Sequence, residues 1–318
     1  MQLMAGSQPL KKPRDAALVL GIDQLTTDVA RALTNSEAFS QVWTAGNGEA
    51  IRPSRHRKLD FFDRGGARRL AGILADVNPQ TIVQLAVSRS PVTPARRGRF
   101  DATIAHALSS ALRVWRERGG RPRSLVVLSS TAVYGLARTG PLLFDETSRP
   151  TGLDEADPSS PYGRWVQELR AAEHAYAELA EDSGLSLTVL RSAAVVGGPV
   201  ASQVTDYLGS WFPVRVAGYD PPIQLVHYSD LVQSIVRVLE ERAAGTINIV
   251  GRGVIPLSRL AARSGRFLWP MPPAAARWLA PEALGVGALC WRCVADGSRA
   301  LQTLGMVPQF TAEQALGR

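Results

Sequence analysis

Four short apolar runs set the frame of this chain: Ala16–Leu20 (AALVL), Thr81–Val87 (TIVQLAV), Ser124–Leu128 (SLVVL) and Leu185–Leu190 (LSLTVL). Strands that are apolar without alternation bury both of their faces, which an antiparallel sheet open to water on one side does not ask for. The intervening stretches are of helix length. One runs from Gly21 through Leu33, Arg64–Val77 ends at Asn78-Pro79, and Phe100–Arg118 is closed by Gly119-Gly120. Gln41–Thr44 adds a further short strand. Strands alternating with helices in this way predict an α/β, doubly wound parallel sheet covered on both faces.

A Pro/Asp/Ser-rich loop, Gly140–Pro161, then delivers Tyr162 at the head of a helix predicted to reach Glu181. Beyond Val196 the pattern loosens. Val214–Val216 and Ile223–Val226 read as short strands, Asp230–Glu241 as a helix, Thr246–Val250 as a strand and Thr311–Leu316 as a last helical segment. The expected organisation is a flexible leader (1–15), a parallel-sheet domain (16–195) to which parts of 220–250 return, and a smaller lobe (196–318). That lobe is rich in apolar and aromatic residues: Phe267, Leu268, Trp269, Met271, Trp278, Leu279, Leu284 and Trp291. They read as the lobe's core, with an apolar ligand or partner surface as the alternative.

With 45% hydrophobic residues among 318, the chain can build a substantial core. Its most apolar stretch, Phe267–Cys293, is interrupted by prolines and by Arg277, Glu282 and Arg292, which argues against a membrane span. Met1–Asp15 lacks a signal-peptide core, so a cytoplasmic protein is expected. The net charge of +8 is carried almost wholly by arginine, since Lys11, Lys12 and Lys58 are the only lysines. Such a balance suits phosphorylated metabolites, nucleic acid or an anionic membrane surface. No nucleic-acid-binding motif accompanies it, and an arginine-rich genome produces the same composition. Cys290 and Cys293 form a lone C-x-x-C without a second pair or a nearby histidine. They read as packing cysteines, and no metal site is expected.

Several segments in register carry a resemblance. They are Asp60-Phe61-Phe62-Asp63, Gln84-Leu85-Ala86, the stretch Leu128–Gly135 (LSSTAVYG) and Ser160-Pro161-Tyr162-Gly163-Arg164. Leu190-Arg191 with Gly198-Pro199, Val226–Asp230 (VHYSD) and Asn248–Gly251 (NIVG) continue it. Together they resemble the extended short-chain dehydrogenase/reductase family, the NAD-dependent epimerase/dehydratases, over roughly residues 16–316. The resemblance implies a Rossmann-type fold, NAD or NADP as cofactor and a small-molecule ligand. It also implies a homodimer through the helices at 100–118 and 162–181. It places Ser130 on the substrate oxygen and makes Tyr162 the general acid/base, with cofactor contacts from Gly21, Asp23, Gln24, Asp60, Phe61, Leu85, Ala86 and Tyr162.

The chain departs from that pattern at the cofactor. The family's lysine, whose charge lowers the tyrosine pKa and which holds the nicotinamide ribose, is replaced by Val166. The glycine-rich loop reads Gly21, Gln24, Thr27, and Val42–Gly46 offers no acid for the adenosine ribose. Arg52 or Arg55 would instead suit a 2′-phosphate, and Gln84 stands where relatives often carry histidine. Two readings follow. One is a degenerate member with weak or lost NAD(P) binding, acting as a small-molecule-binding or regulatory protein, with Tyr162 reduced to a packing residue or a neutral donor. The other is an active NAD(P)-dependent oxidoreductase or epimerase/dehydratase using Ser130 and Tyr162 on a nucleotide-sugar or an apolar hydroxy/keto substrate.

Overall fold

The computed structural model describes residues 14–47, 55–91, 99–135, 143–148, 160–272, 275 and 293–316. The first half alternates strictly. Strand β1 (Arg14–Leu20) leads to helix α1 (Gln24–Asn35), then β2 (Phe39–Gly46), β3 (Arg55–Lys58), α2 (Gly66–Val77), β4 (Thr81–Gln84), α3 (Phe100–Glu117) and β5 (Ser124–Ser130). The short strand β6 (Leu143–Phe144) precedes α4 (Pro161–Ser183) and β7 (Ser186–Ser192). Next come β8 (Ala194–Val196), α5 (Gln203–Leu208), β9 (Val214–Val216), β10 (Pro222–Ile223) and β11 (Leu225–His227). After α6 (Tyr228–Glu241) lie β12 (Gly245–Ile249), β13 (Ile255–Pro256), α7 (Leu257–Arg263), β14 (Trp269–Met271), β15 (Val294–Ala295) and α8 (Ser298–Leu304).

Seven strands form one parallel sheet in the order β12-β7-β5-β4-β1-β2-β3. Both faces are buried, as the apolar runs require. Ala17, Val19, Val83, Val126 and Leu128 point into one hydrophobic cluster with α1 and α6. Their neighbours Leu18, Leu20, Ile82, Leu125 and Val127 point into another with α2 and α3. A third cluster collects residues from Val196 to Ala315, including Tyr207, Leu225, Ile255 and Leu260.

Several boundaries differ from the sequence expectation. The run Thr81–Val87 is a strand only to Gln84, because the buried Gln84 amide turns back on the chain. Its Nε2 donates to the Ala86 carbonyl at 3.0 Å and its Oε1 accepts from the Ala86 N–H at 3.3 Å. The expected strand Ile223–Val226 is two strands in different pairings. The last helical segment shrinks to a 3-10 turn, Gln314–Leu316. The basic cluster at 52–58 holds an edge strand, β3, whose Arg55, Arg57 and Lys58 side chains are exposed. Charged side chains keep such an edge from pairing with other chains. Of the residues expected to form the core of the C-terminal region, Leu268 is buried, but Phe267 and Trp269 are 66% and 47% exposed. Trp278, Leu279, Leu284, Trp291, Cys290 and Arg52 lie outside the described residues, as does the leader up to residue 13.

Candidate functional site

A cleft open in part to solvent lies beyond the C-terminal ends of β4, β5 and β7. In open parallel sheets this is where ligands bind. Val87–Arg89 line it from the loop after β4, Ser129–Ala132 from the end of β5, Ser192–Val195 from the end of β7, and Tyr162 and Trp165 from α4. Gln203 and Val204 of α5 and Cys293 close the far wall. Two of the expected site residues, Ser130 and Tyr162, thus face one space. The others lie elsewhere: Phe61, Leu85 and Ala86 have their side chains in the hydrophobic clusters, and Asp60 accepts the Phe62 N–H at 2.9 Å.

Ser160 and Pro161 place Tyr162. The Ser160 hydroxyl caps α4 by accepting the Gly163 N–H at 3.0 Å, and the proline fits the first helical turn. Tyr162 is 5% exposed and meets Trp165 edge-on at 5.7 Å. Burial, above all, pushes its phenol pKa well above the ordinary value; Cys293 adds to the rise, and the Arg170 charge opposes it without prevailing. Its burial thus favours the neutral phenol, which can donate a hydrogen bond. Ser130 Oγ accepts the Ala132 N–H at 3.2 Å, capping the 3-10 turn that follows β5, and keeps its own proton to donate.

Val166, in the lysine position, is 1% exposed and packs in the cluster around Leu169, Val133 and Leu190. The positive charge acting on Tyr162 comes instead from Arg170, one turn further along α4. Its Nε donates to the Val133 carbonyl at 2.7 Å, and one of its terminal nitrogens is buried without a partner. Val166→Lys should therefore lower the unfolding free energy by about 1–3 kcal/mol through overpacking. Urea unfolding beside the parent checks this, and an unchanged midpoint would show that an ammonium reaches the cleft from this position.

The turn between β1 and α1 is shaped for its own packing. A Cβ on Gly21 would lie 1.8 Å from Thr26 Oγ1, so the glycine makes room for a buried threonine. Asp23 caps α1, its Oδ1 accepting the Leu25 N–H at 3.1 Å, while its Oδ2 pairs with Arg89 at 2.5 Å. One N–H of the helix end that would attract a phosphate is thus already taken by a side chain. Gln24 holds Asp28 at 3.1 Å, and Asp28 also accepts the Tyr228 hydroxyl at 2.7 Å. On the neighbouring strands, Arg55 and Arg57 of β3 lie over the Trp43 ring of β2 at 5.2 and 4.7 Å, and β2 offers no acid. A dinucleotide pyrophosphate brought to this turn meets the Gln24 side chain and two carboxylates, each already paired with an arginine: Asp23 with Arg89 and Asp28 with Arg31. Gln24 stands where a glycine would let the pyrophosphate pass, so the turn does not fit that group as the family's loop does.

Ser88, Arg89 and Trp165 of the cleft wall escaped the sequence reading, as did Asp101, which lies outside that wall. Ser88 donates its hydroxyl to the buried Asp101, which also accepts the Ser88 N–H at 2.9 Å. Trp165 Nε1 in turn donates to Ser88 Oγ at 2.9 Å. The only sequence signal was that Ser88 and Arg89 follow a buried strand in a loop. Asp101 sits in a helix with nothing to mark it. Cys293 donates to the Thr131 carbonyl at 3.6 Å, and burial pushes its thiol up to about 12, which suits a packing residue. Among the described residues no cluster of His, Cys, Asp or Glu is arranged to hold a metal, and no helix is long and apolar enough to cross a membrane.

A sequence model of the NAD dependent epimerase/dehydratase family matches residues 14–250. Among curated relatives, an uncharacterized protein of Mycobacterium tuberculosis (strain ATCC 25618 / H37Rv) is 28% identical over 153 residues, 47% of this chain and 38% of that protein. The match therefore spans well under half the length of the curated relatives. Among solved structures, UDP-glucose 4-epimerase of Thermotoga maritima with UDP-glucose superposes with a TM-score of 0.69 at 18% identity, covering 95% of this chain and 96% of that one. UDP-glucose 4-epimerase of Thermus thermophilus in complex with NAD gives 0.68 at 16% identity, with the same coverage of 95% and 96%. Both likenesses are of fold.

Proposed function

Since the chain belongs to the NAD dependent epimerase/dehydratase family, we propose that it is a degenerate member, a small-molecule-binding or regulatory protein whose NAD(P) affinity is weak or lost. The observation that carries this reading is the Asp23–Arg89 pair at the start of α1. Its carboxylate already occupies a backbone N–H of the helix start that the family's loop would offer to phosphate. The buried Val166 and the neutral Tyr162 remove the remaining parts of the hydride-transfer machinery. What persists is a polar cleft in which Ser130 and Tyr162 donate hydrogen bonds to a bound ligand.

Calorimetric titration of NAD⁺, NADH, NADP⁺ and NADPH against the purified protein tests the proposal. No saturable binding below the millimolar range is expected for any of the four. Submillimolar binding of one of them would overturn the degenerate reading and favour the second. In that second reading Ser130 and Tyr162, which line one cleft, serve an active NAD(P)-dependent oxidoreductase or epimerase. Its substrate would be a nucleotide-sugar such as the UDP-glucose of the Thermotoga protein, or an apolar hydroxy/keto compound.

A further inference from the structure

Away from the cleft, the side chains of Phe212, Phe267 and Trp269 stand together on the surface, and Trp211 precedes Phe212 in the chain. Trp211 is fully exposed, Phe267 is 66% exposed, and Phe212 and Trp269 are each 47% exposed. Phe212 stacks on Trp269 at 5.0 Å, and Phe267 meets the same indole edge-on at 5.2 Å. Two backbone links hold the segments in place. The Trp269 N–H donates to the Pro213 carbonyl at 3.0 Å, and β14 pairs in parallel with β9, Trp269 opposite Val214 and Pro270 opposite Arg215. Arg266 ties them further, donating to the carbonyls of Leu208 (2.6 Å) and Ser210. A patch so braced is a preformed surface, and large exposed aromatic clusters mark interaction sites.

Its charge says what it would meet. Residues 209–217 and 263–272 contain Arg215, Arg263 and Arg266 and no Asp or Glu, within a chain of net charge +8. Indole and phenyl rings beside arginines suit the boundary between lipid headgroups and acyl chains, where rings insert and guanidiniums stay with phosphate. A single-stranded nucleic acid also takes aromatics and arginines, but it needs ring faces free for stacking. Here Phe212, Phe267 and Trp269 turn toward one another.

We propose that the patch of Trp211, Phe212, Phe267 and Trp269, with Arg215 and its neighbouring arginines, docks the protein on an anionic lipid bilayer. Docking would set the cleft near the membrane, because α5 lines the cleft with Gln203 and Val204 at its start and leads to Trp211 just past its end.

Co-sedimentation of the full chain with vesicles of phosphatidylglycerol and phosphatidylcholine in equal parts, and of phosphatidylcholine alone, tests this. Binding is expected only to the anionic vesicles and should weaken as ionic strength rises. Trp211→Ser with Phe267→Ser should reduce partitioning about tenfold, and Arg215→Gln about fivefold. The side chains of Trp211 and Phe267 are mainly in water, so thermal unfolding of the double variant should match the parent. Absence of binding, equal binding to the neutral vesicles, or binding unchanged in the folded variants would overturn the proposal. So would displacement from vesicles by a single-stranded oligonucleotide whose own binding needs the same aromatics.

Discussion

Glu173→Ala is expected to lower the unfolding free energy by about 3–5 kcal/mol, among the larger effects that a single substitution can have. Glu173 reaches from α4 to Arg191 of β7 in a two-pronged pair, with Arg191 Nε at 3.1 Å from one carboxylate oxygen and a terminal nitrogen at 2.6 Å from the other. The side chains are only 14% and 11% exposed, and Ser129 Oγ donates to the same carboxylate at 2.5 Å. Beyond Arg191 the network continues. The guanidinium lies 4.9 Å over the Tyr134 ring, whose hydroxyl donates to Asn248 Oδ1 at 2.8 Å. Asn248 of β12 donates its N–H to Glu146 at 2.8 Å and its side-chain amide to the Asp296 carbonyl at 3.0 Å. Removing the carboxylate leaves a buried guanidinium unpaired, and that, more than a lost contact, sets the size of the effect. Urea unfolding of Glu173→Ala reads it directly. The double variant with Arg191→Met should recover much of the loss, whereas equal instability of the two would mean the pair is not the cause.

Stability is also expected to fall as pH rises from 4 to 7, and Asp101→Asn to abolish that part of the fall. Burial pushes the Asp101 carboxyl from 3.8 to about 7; the Ser88 hydrogen bonds and Arg89 pull it down and Glu168 pushes it up, without reversing the result. A carboxyl whose folded pKa is raised holds a proton that the unfolded chain has already released between these two values. Its contribution is therefore complete below about pH 4 and is lost as pH climbs through 7. Each pH unit removes about 1.4 kcal/mol, so the whole interval removes about 4 kcal/mol. The asparagine amide can accept the Ser88 N–H and donate to Ser88 Oγ, keeping the network without a titrating group. Denaturant unfolding of both proteins at pH 4, 6 and 8 should show the variant gaining on the parent by several kcal/mol. A difference independent of pH would show Asp101 ionised throughout.

Parts of the candidate site were readable in the sequence because they are local. Ser160-Pro161 announces the start of α4 and so fixes where Tyr162 stands, and Ser130 follows the end of a visibly buried strand. The VHYSD segment was legible as a landmark, yet its residues hold structure. Asp230 accepts the N–H groups of Gln309 and Phe310 at 3.2 and 3.4 Å, and His227 stacks on Phe310 at 3.9 Å. Asp23 was expected among the cofactor contacts; it caps α1 instead, and its Arg89 partner is 66 positions away. Nothing local signals such a pairing. The same holds for Asp101 and Ser88, and for the exposure of Phe267 and Trp269, whose aromatic composition suggested a core.

The alternation of doubly buried strands with amphipathic helices determined the parallel sheet, since each strand can hide both faces only under helices. The missing lysine, glycines and ribose acid were likewise a matter of sequence alone. Only the tertiary structure decided what took their place: a valine in the core, an arginine one turn further on, and a carboxylate–guanidinium pair at the start of α1. The physical reason is range. Burial patterns and helix caps act between near neighbours in the chain, while the charge that meets a buried group is set by which distant segments the fold brings beside it.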